Sequence, residues 1–188
     1  CCTACSKDEE SFKGKDADAS LSIAVKAVGS AVTKGFHPND ENELAGEAKV
    51  NNLSVLVFDE SGAQLIGYGW QATNSEGEAS ILNVPAMTMR AQIVIVSNTP
   101  ENSLAGVTSY SDFESKLAQL ADQSQSNLVM SSPVITTQAP LVKGDNYLGY
   151  ASMGSENING IAEPVEITRL AARLDLVNVK TDFTKTLL

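Results

Sequence analysis

The chain has 188 residues, with 13 Lys and Arg against 23 Asp and Glu and a formal net charge of −10. That balance argues against a nucleic-acid partner, whose phosphates need basic neutralisation, and an aromatic content of 5% argues against a surface that stacks bases or sugars. A hydrophobic content of 43% supports a packed core in one domain of ordinary size, and no stretch approaches the roughly 18 apolar residues of a spanning helix.

All three cysteines, Cys1, Cys2 and Cys5, fall at the very start. They could close only trivial loops with one another, so they are no disulfide framework. A zinc site needs further ligands, and the next candidate is His37, the sole histidine. Cys2 and Cys5 have C-x-x-C spacing but lack the βαβ context of a redox pair. The pattern fits the end of a lipoprotein leader. Thr3-Ala4 are small residues before a cysteine, and Ser6-Lys7-Asp8-Glu9-Glu10 form a solvated tether. Cys5 is the expected lipidation site, or Cys1 if the mature chain starts there. Residues 1–18 are read as leader end and flexible tether, and residues 19–188 as a single β-sandwich domain.

Residues 19–27 alternate. Leu21, Ile23 and Val25 lie on one face and Ser20, Ser22 and Lys26 on the other, which predicts a half-buried strand. A long loop rich in Gly, Asn and acid follows. Its cluster of Asp40, Glu41, Glu43 and Glu47 offers hard oxygen ligands, but without EF-hand spacing. It is a weak calcium candidate, with a solvated acidic loop as the plain alternative. Two strands then flank the turn Asp59-Glu60-Ser61-Gly62, and the turn Asn74-Ser75-Glu76-Gly77 leads to another. The β-branched run of residues 89–98 predicts a central strand buried on both faces.

One helix is predicted at about 111–123. Ser111 and Glu114 would form a capping box, and Phe113, Leu117, Leu120 and Ala121 share a face. Two short strands broken at Pro133 follow, and then a Gly/Asn-rich loop over 143–164. Residues 165–183 are ambiguous. Ile167, Leu170, Ala171 and Leu174 suit a helix, whereas Leu170, Ala172, Leu174 and Leu176 suit a strand. The sum is a mostly β fold, an antiparallel β-sandwich with one crossing helix.

Catalytic patterns are absent. A nucleophilic triad needs a base, and His37 sits in a polar loop. There is no G-x-S-x-G elbow. Gly67-Tyr68-Gly69-Trp70-Gln71-Ala72 matches G-x-G-x-x-A, but a turn follows where a dinucleotide site needs a helix. Arg169 and Arg173 carry no catalytic signature. The chain is read as no enzyme, with no cofactor.

Several ordered segments resemble the fimbrillin family of type V pilus subunits, over nearly the whole chain. They are the ACSKDE start, ASLSIAVKA, VNNLSVLVFDESGAQL, Ile81–Ala86, Ile93–Asn98, Asn127–Ser132 and the closing PVEITRLAARLDLVNV. The resemblance implies a transthyretin-like β-sandwich and a strand over 165–183. It implies export as an outer-membrane lipoprotein, proteolytic removal of the first strand, and filling of the opened groove by a strand from another fimbrial subunit. Leu21, Ile23 and Val25 would then belong to the displaceable strand. The family's cut follows an arginine; residues 27–48 have none, so Lys34-Gly35 is the expected processing site. The family's second sandwich and donor segment have no counterpart before Leu188. The implied role is a structural subunit of cell-surface fimbriae, serving adhesion and biofilm formation, with a host or bacterial surface receptor as a further partner. The alternatives are an anchored surface lipoprotein that binds a ligand or glycan as a monomer, and a non-polymerising fimbrial anchor or tip component.

Overall fold

The computed structural model describes residues 17–28, 48–104, 106–117, 127–151 and 157–170. Strands β1 (Ala19–Val28), β2 (Lys49–Asp59), β3 (Leu65–Glu76), β4 (Glu78–Ala86) and β5 (Ala91–Ser97) come first. Helix α1 (Tyr110–Leu117) follows, then β6 (Met130–Ser131), β7 (Ile135–Thr136), β8 (Gly144–Leu148), a 3-10 turn at Ile158–Gly160, and β9 (Val165–Arg169). Among the described residues the protein is mostly β with one short α-helix, as the alternating patterns imply.

The strands pair in the order β2-β3-β4-β1-β9-β6-β5, and β5 pairs back to β2. The sheet therefore closes on itself like a barrel. Its joints are unequal. β2 and β5 stay in register from Leu53↔Ser97 to Asp59↔Ala91. β6 meets β9 only through Met130↔Arg169 and Ser131↔Thr168, and β3 meets β4 only at Gly67↔Ala86. Nor is the pairing antiparallel throughout, since β1 runs parallel to both β8 and β9. An alternating pattern has period two in either orientation, so it cannot tell the two apart.

The joint between β3 and β4 explains the glycines that mimic a nucleotide motif. A Cβ on Gly67 would lie 2.7 Å from the Pro85 carbonyl oxygen and 3.0 Å from the Cβ of Ala86. One on Gly69 would lie 2.8 Å from Val84 Cγ2. Glycine at both positions lets β4 approach β3 this closely. Backbone pairing of the two strands is limited to this point, and farther along the Gln71 Oε1 accepts the Leu82 amide hydrogen at 3.2 Å.

Leu21, Ile23, Val25, Val55, Val57, Ile81, Ile93 and Ile95 fill the ring. A second cluster lies outside it, where Leu56, Phe58, Val94 and Val96 pack under Leu104, Val107 and Phe113. Strand β5 feeds both clusters and is buried on both faces, as its β-branched run predicts. Helix α1 closes the second cluster, with Phe58 and Tyr110 in edge-to-face contact at 5.8 Å.

Two local readings differ from the structure, and a third, open between helix and strand, is settled for its described part. The helix is capped by Ser109, whose Oγ accepts the Asp112 amide at 3.2 Å, while Asp112 Oδ2 accepts the Thr108 amide at 3.1 Å. The expected Ser111–Glu114 box lies two residues too late, and residues 118–123 are outside the described residues. Within the expected 143–164 loop, Gly144–Leu148 is a strand; Gly, Asp and Asn are poor strand formers, and only tertiary pairing holds them extended. Over 165–183, Val165–Arg169 is strand, and residues 171–183 lie outside the described residues.

Gly69→Val forces a branched side chain onto Val84. It is expected to destabilise the fold by about 1–3 kcal/mol, as overpacking does, read as a lower urea midpoint at unchanged slope.

Candidate functional site

The candidate site is the channel that holds β1. One edge of β1 pairs antiparallel with β4, from Ala19↔Ala86 to Lys26↔Glu78. The other edge has two partners set end to end. Residues 19–23 pair with β8, and Val25–Val28 pair with β9. The first strand is thus a central strand, flanked on both sides.

Its inner face carries Leu21, Ile23 and Val25, all at 0% exposure. The structure places these three predicted residues together in the main core. The outer face is less open than the alternation suggests, because Ser22 is only 7% exposed.

Polar contacts fix where β1 sits along the channel. At its start, Asp18 Oδ1 accepts the Thr88 amide at 2.8 Å, and the Asp18 carbonyl accepts the Gly144 amide at 3.0 Å. Hydrogen bonds from Thr88, through its side chain first and its backbone second, hold the Asp18 carboxyl below the usual carboxylate value, with Lys143 acting in the same direction. Asn146, at the middle of β8, is buried. Its Nδ2 donates to the carbonyls of Val142 at 2.8 Å and Ser20 at 3.3 Å, and its Oδ1 accepts the Val142 amide at 2.8 Å. Gly149 has φ 85°, and a Cβ there would lie 2.7 Å from the Ala24 carbonyl oxygen. Only glycine lets the chain leave β8 so close to β1. At the far end the Ala27 amide donates to the Gly77 carbonyl at 2.6 Å.

β4 carries a bulge against β1. Leu21 faces Val84 and Ile23 faces Ile81, so Leu82 and Asn83 both lie opposite Ser22. Asn83 has φ 57°, and its amide donates to Ser22 Oγ at 3.3 Å.

A cleft of about 300 Å³ opens beyond the start of β8, lined by Gln138, Pro140, Val142, Asn157 and Asn159 among others. None of its lining side chains titrates near neutrality, so it has no general acid or base of its own. Among the described residues no group of His, Cys, Asp and Glu gathers as metal ligands. The expected lipidation sites Cys5 and Cys1, the Lys34-Gly35 processing bond, His37 and the calcium candidates Asp40, Glu41, Glu43 and Glu47 all lie outside the described residues. Sequence reasoning missed Asp18, Asn83, Asn146 and Gly149. For Asn146 and Gly149 the only signal was the Asn/Gly richness of residues 143–164, and Asp18 and Asn83 carried none.

A family model described as the major fimbrial subunit protein (FimA) matches residues 19–169, from the start of β1 to the end of β9. The chain belongs to the FimA family. Among its FimA-like relatives is the "Putative fimbrium tip subunit Fim1C" of Parabacteroides distasonis, 48% identical over 187 residues. That match covers 98% of this chain and 49% of the relative. The "Major fimbrium subunit FimA type-2" of Porphyromonas gingivalis is 29% identical over 183 residues, covering 95% of this chain and 42% of the relative. A crystal structure of a "putative cell adhesion protein" from Parabacteroides distasonis superposes with a TM-score of 0.74 at 46% identity, over 86% of this chain and 48% of that one. The chain spans about half the length of the curated relatives it matches.

Ile23→Ala, at the middle of β1, is expected to lower stability by about 2–5 kcal/mol, measured by denaturant unfolding. A depressed carboxyl pKa adds stability above the unfolded value and loses it as pH falls through the folded value. Asp18→Asn should therefore flatten the loss of stability on acidification below about pH 4, while changing little at pH 7 beyond the missing charge. Thermal unfolding across the acid range checks this.

Proposed function

We propose that the chain is a structural subunit of cell-surface fimbriae, assembled by exchange of its first strand and supporting adhesion and biofilm formation. One observation carries the reading: β1 is a central strand whose inner face is fully buried, yet it is the first strand of the described fold, and residues 29–48 separate it from β2. Cleavage anywhere in that interval would detach one strand and leave the remaining strands of the ring in one chain.

Loss of β1 would uncover the sites of Leu21, Ile23 and Val25, worth roughly 5–9 kcal/mol of burial. It would also bare the facing edges of β4 and of β8 with β9, which invite another strand. A strand from a neighbouring subunit restores both terms. The lipid-bearing Cys5, or Cys1, lies on the same side of the cut as β1. Cleavage at Lys34-Gly35 would then release anchor and strand together, turning an outer-membrane lipoprotein precursor into a fimbrial subunit. The narrow joints at β3–β4 and β6–β9 support reading the closed ring as a flattened, transthyretin-like sandwich with two corners.

A second reading, a place at the fimbrium tip, is favoured by the relative at 48% identity, which is named for that position. A tip subunit would accept a strand and engage a host or bacterial surface receptor, and would cap a polymer rather than repeat within it.

Native envelope material, probed on an unboiled gel, should give high-mass bands that collapse on boiling, with Cys5 and β1 missing from the collapsed form. Lys34→Ala should leave a single lipid-bearing band that partitions into detergent. A wild-type chain that keeps β1 and runs as one band would sink strand exchange. Evenly spaced bands would mark a shaft position, and one copy per polymer a tip.

A further inference from the structure

The channel around β1 carries a polar mark that hydrophobic alternation alone would not require. We infer that the β4 bulge reads a hydroxyl at position 22, so that β1, and any strand taking its place, must present Ser or Thr opposite Asn83. The second half of this statement rests on the strand-exchange reading above.

A bulge sets two residues against one and takes the inserted residue out of the ladder. Here the two are Leu82 and Asn83, and the one is Ser22. Side chains answer both amides of the bulge. The Leu82 amide donates to Gln71 Oε1 at 3.2 Å, and the Asn83 amide donates to Ser22 Oγ at 3.3 Å. Gln71 belongs to β3 and stays with the ring. Ser22 belongs to β1 and leaves with it. With an aliphatic residue at this position, itself 7% exposed as it stands, the Asn83 amide would lose the acceptor that β1 supplies and exchange it for water at the outer side of the bulge, where Asn83 is exposed.

The mark also selects register. A slip of one residue would turn Leu21, Ile23 and Val25 out of the core. A slip of two keeps the faces and is harder to exclude by apolar packing. In one direction it brings Ala24 to Asn83, with no acceptor. In the other it brings Ser20, which could serve, but Asp18 is then carried away from the Thr88 and Gly144 amides that it accepts. Hydroxyl and acid together therefore leave one register fully bonded. A matching donor segment alternates aliphatic residues, carries Ser or Thr between the first two, and has an acceptor side chain at the place of Asp18.

The test uses the whole chain, nicked by a lysine-specific protease between β1 and β2, and synthetic peptides of residues 17–28 that compete for the channel. Three peptides suffice: the native one, Ser22→Thr and Ser22→Val. Thr and Val have the same shape and strand propensity and differ in the hydroxyl. The native and Ser22→Thr peptides should displace β1 at similar concentrations, and the Ser22→Val peptide should be about tenfold weaker. Equal competition by Thr and Val would refute the hydroxyl mark while leaving strand exchange standing. If no peptide displaces β1, strand exchange itself fails, and the mark is decided in the intact chain. There, amide hydrogen exchange at Asn83 should be faster in Ser22→Val than in Ser22→Thr, and equal rates would overturn the mark.

Discussion

The constraint on which the rest of the structure depends is the two-sided pairing of β1. Its one edge completes β4, and its other edge joins β8 to β9 in a single line. Without it the ring of strands is interrupted at its middle. The inner face of β1 then supplies aliphatic side chains that touch residues from both halves of the ring. Backbone pairing and apolar burial thus act at the same ten residues, so the strand that begins the fold also completes it.

That arrangement sets demands on residues far away in sequence. β8 has to run extended through Gly144-Asp145-Asn146, a run with little strand propensity of its own. The buried Asn146 side chain makes this tolerable by bonding its own loop and the Ser20 carbonyl. The chain then leaves at Gly149, over the Ala24 carbonyl, and returns to β1 as β9. A similar logic applies at the other end of the ring. Asn98 is buried with φ 61°, and its side chain accepts the Asn51 amide at 2.8 Å and donates to the carbonyls of Lys49 and Leu128 at 2.7 and 2.8 Å. One amide side chain there ties the start of β2, the end of β5 and the approach to β6.

The split between apolar and polar determinants bears on assembly. Alternating aliphatic residues make a channel that almost any β segment could enter, because burial is not directional. Discrimination has to come from groups whose loss leaves a partner unsatisfied. Ser22 and Asn146 are buried groups that make such bonds, and the more exposed Asp18 and Asn83 add directional contacts along β1.

Much of the fold was legible in residue order. The period of two over 19–27, the β-branched run after Met89, the turn residues at 59–62 and 74–77, and the breaks around Pro133 all set elements that the structure contains. The inward face of Leu21, Ile23 and Val25 followed from the same alternation. Other features depend on partners that residue order does not name. Parallel pairing of β1 with β8 and β9, closure of the sheet through β2 and β5, the strand at Gly144–Leu148 and the bulge at Leu82-Asn83 arise only when distant segments meet. A propensity is a property of one residue in its local chain, whereas register, closure and the completion of a buried amide belong to pairs. That is why the sequence by itself determined which residues of β1 are apolar and turned inward, and why only the tertiary structure decided that Ser22 is buried beneath a bulge and that β1 lies between two edges rather than at one.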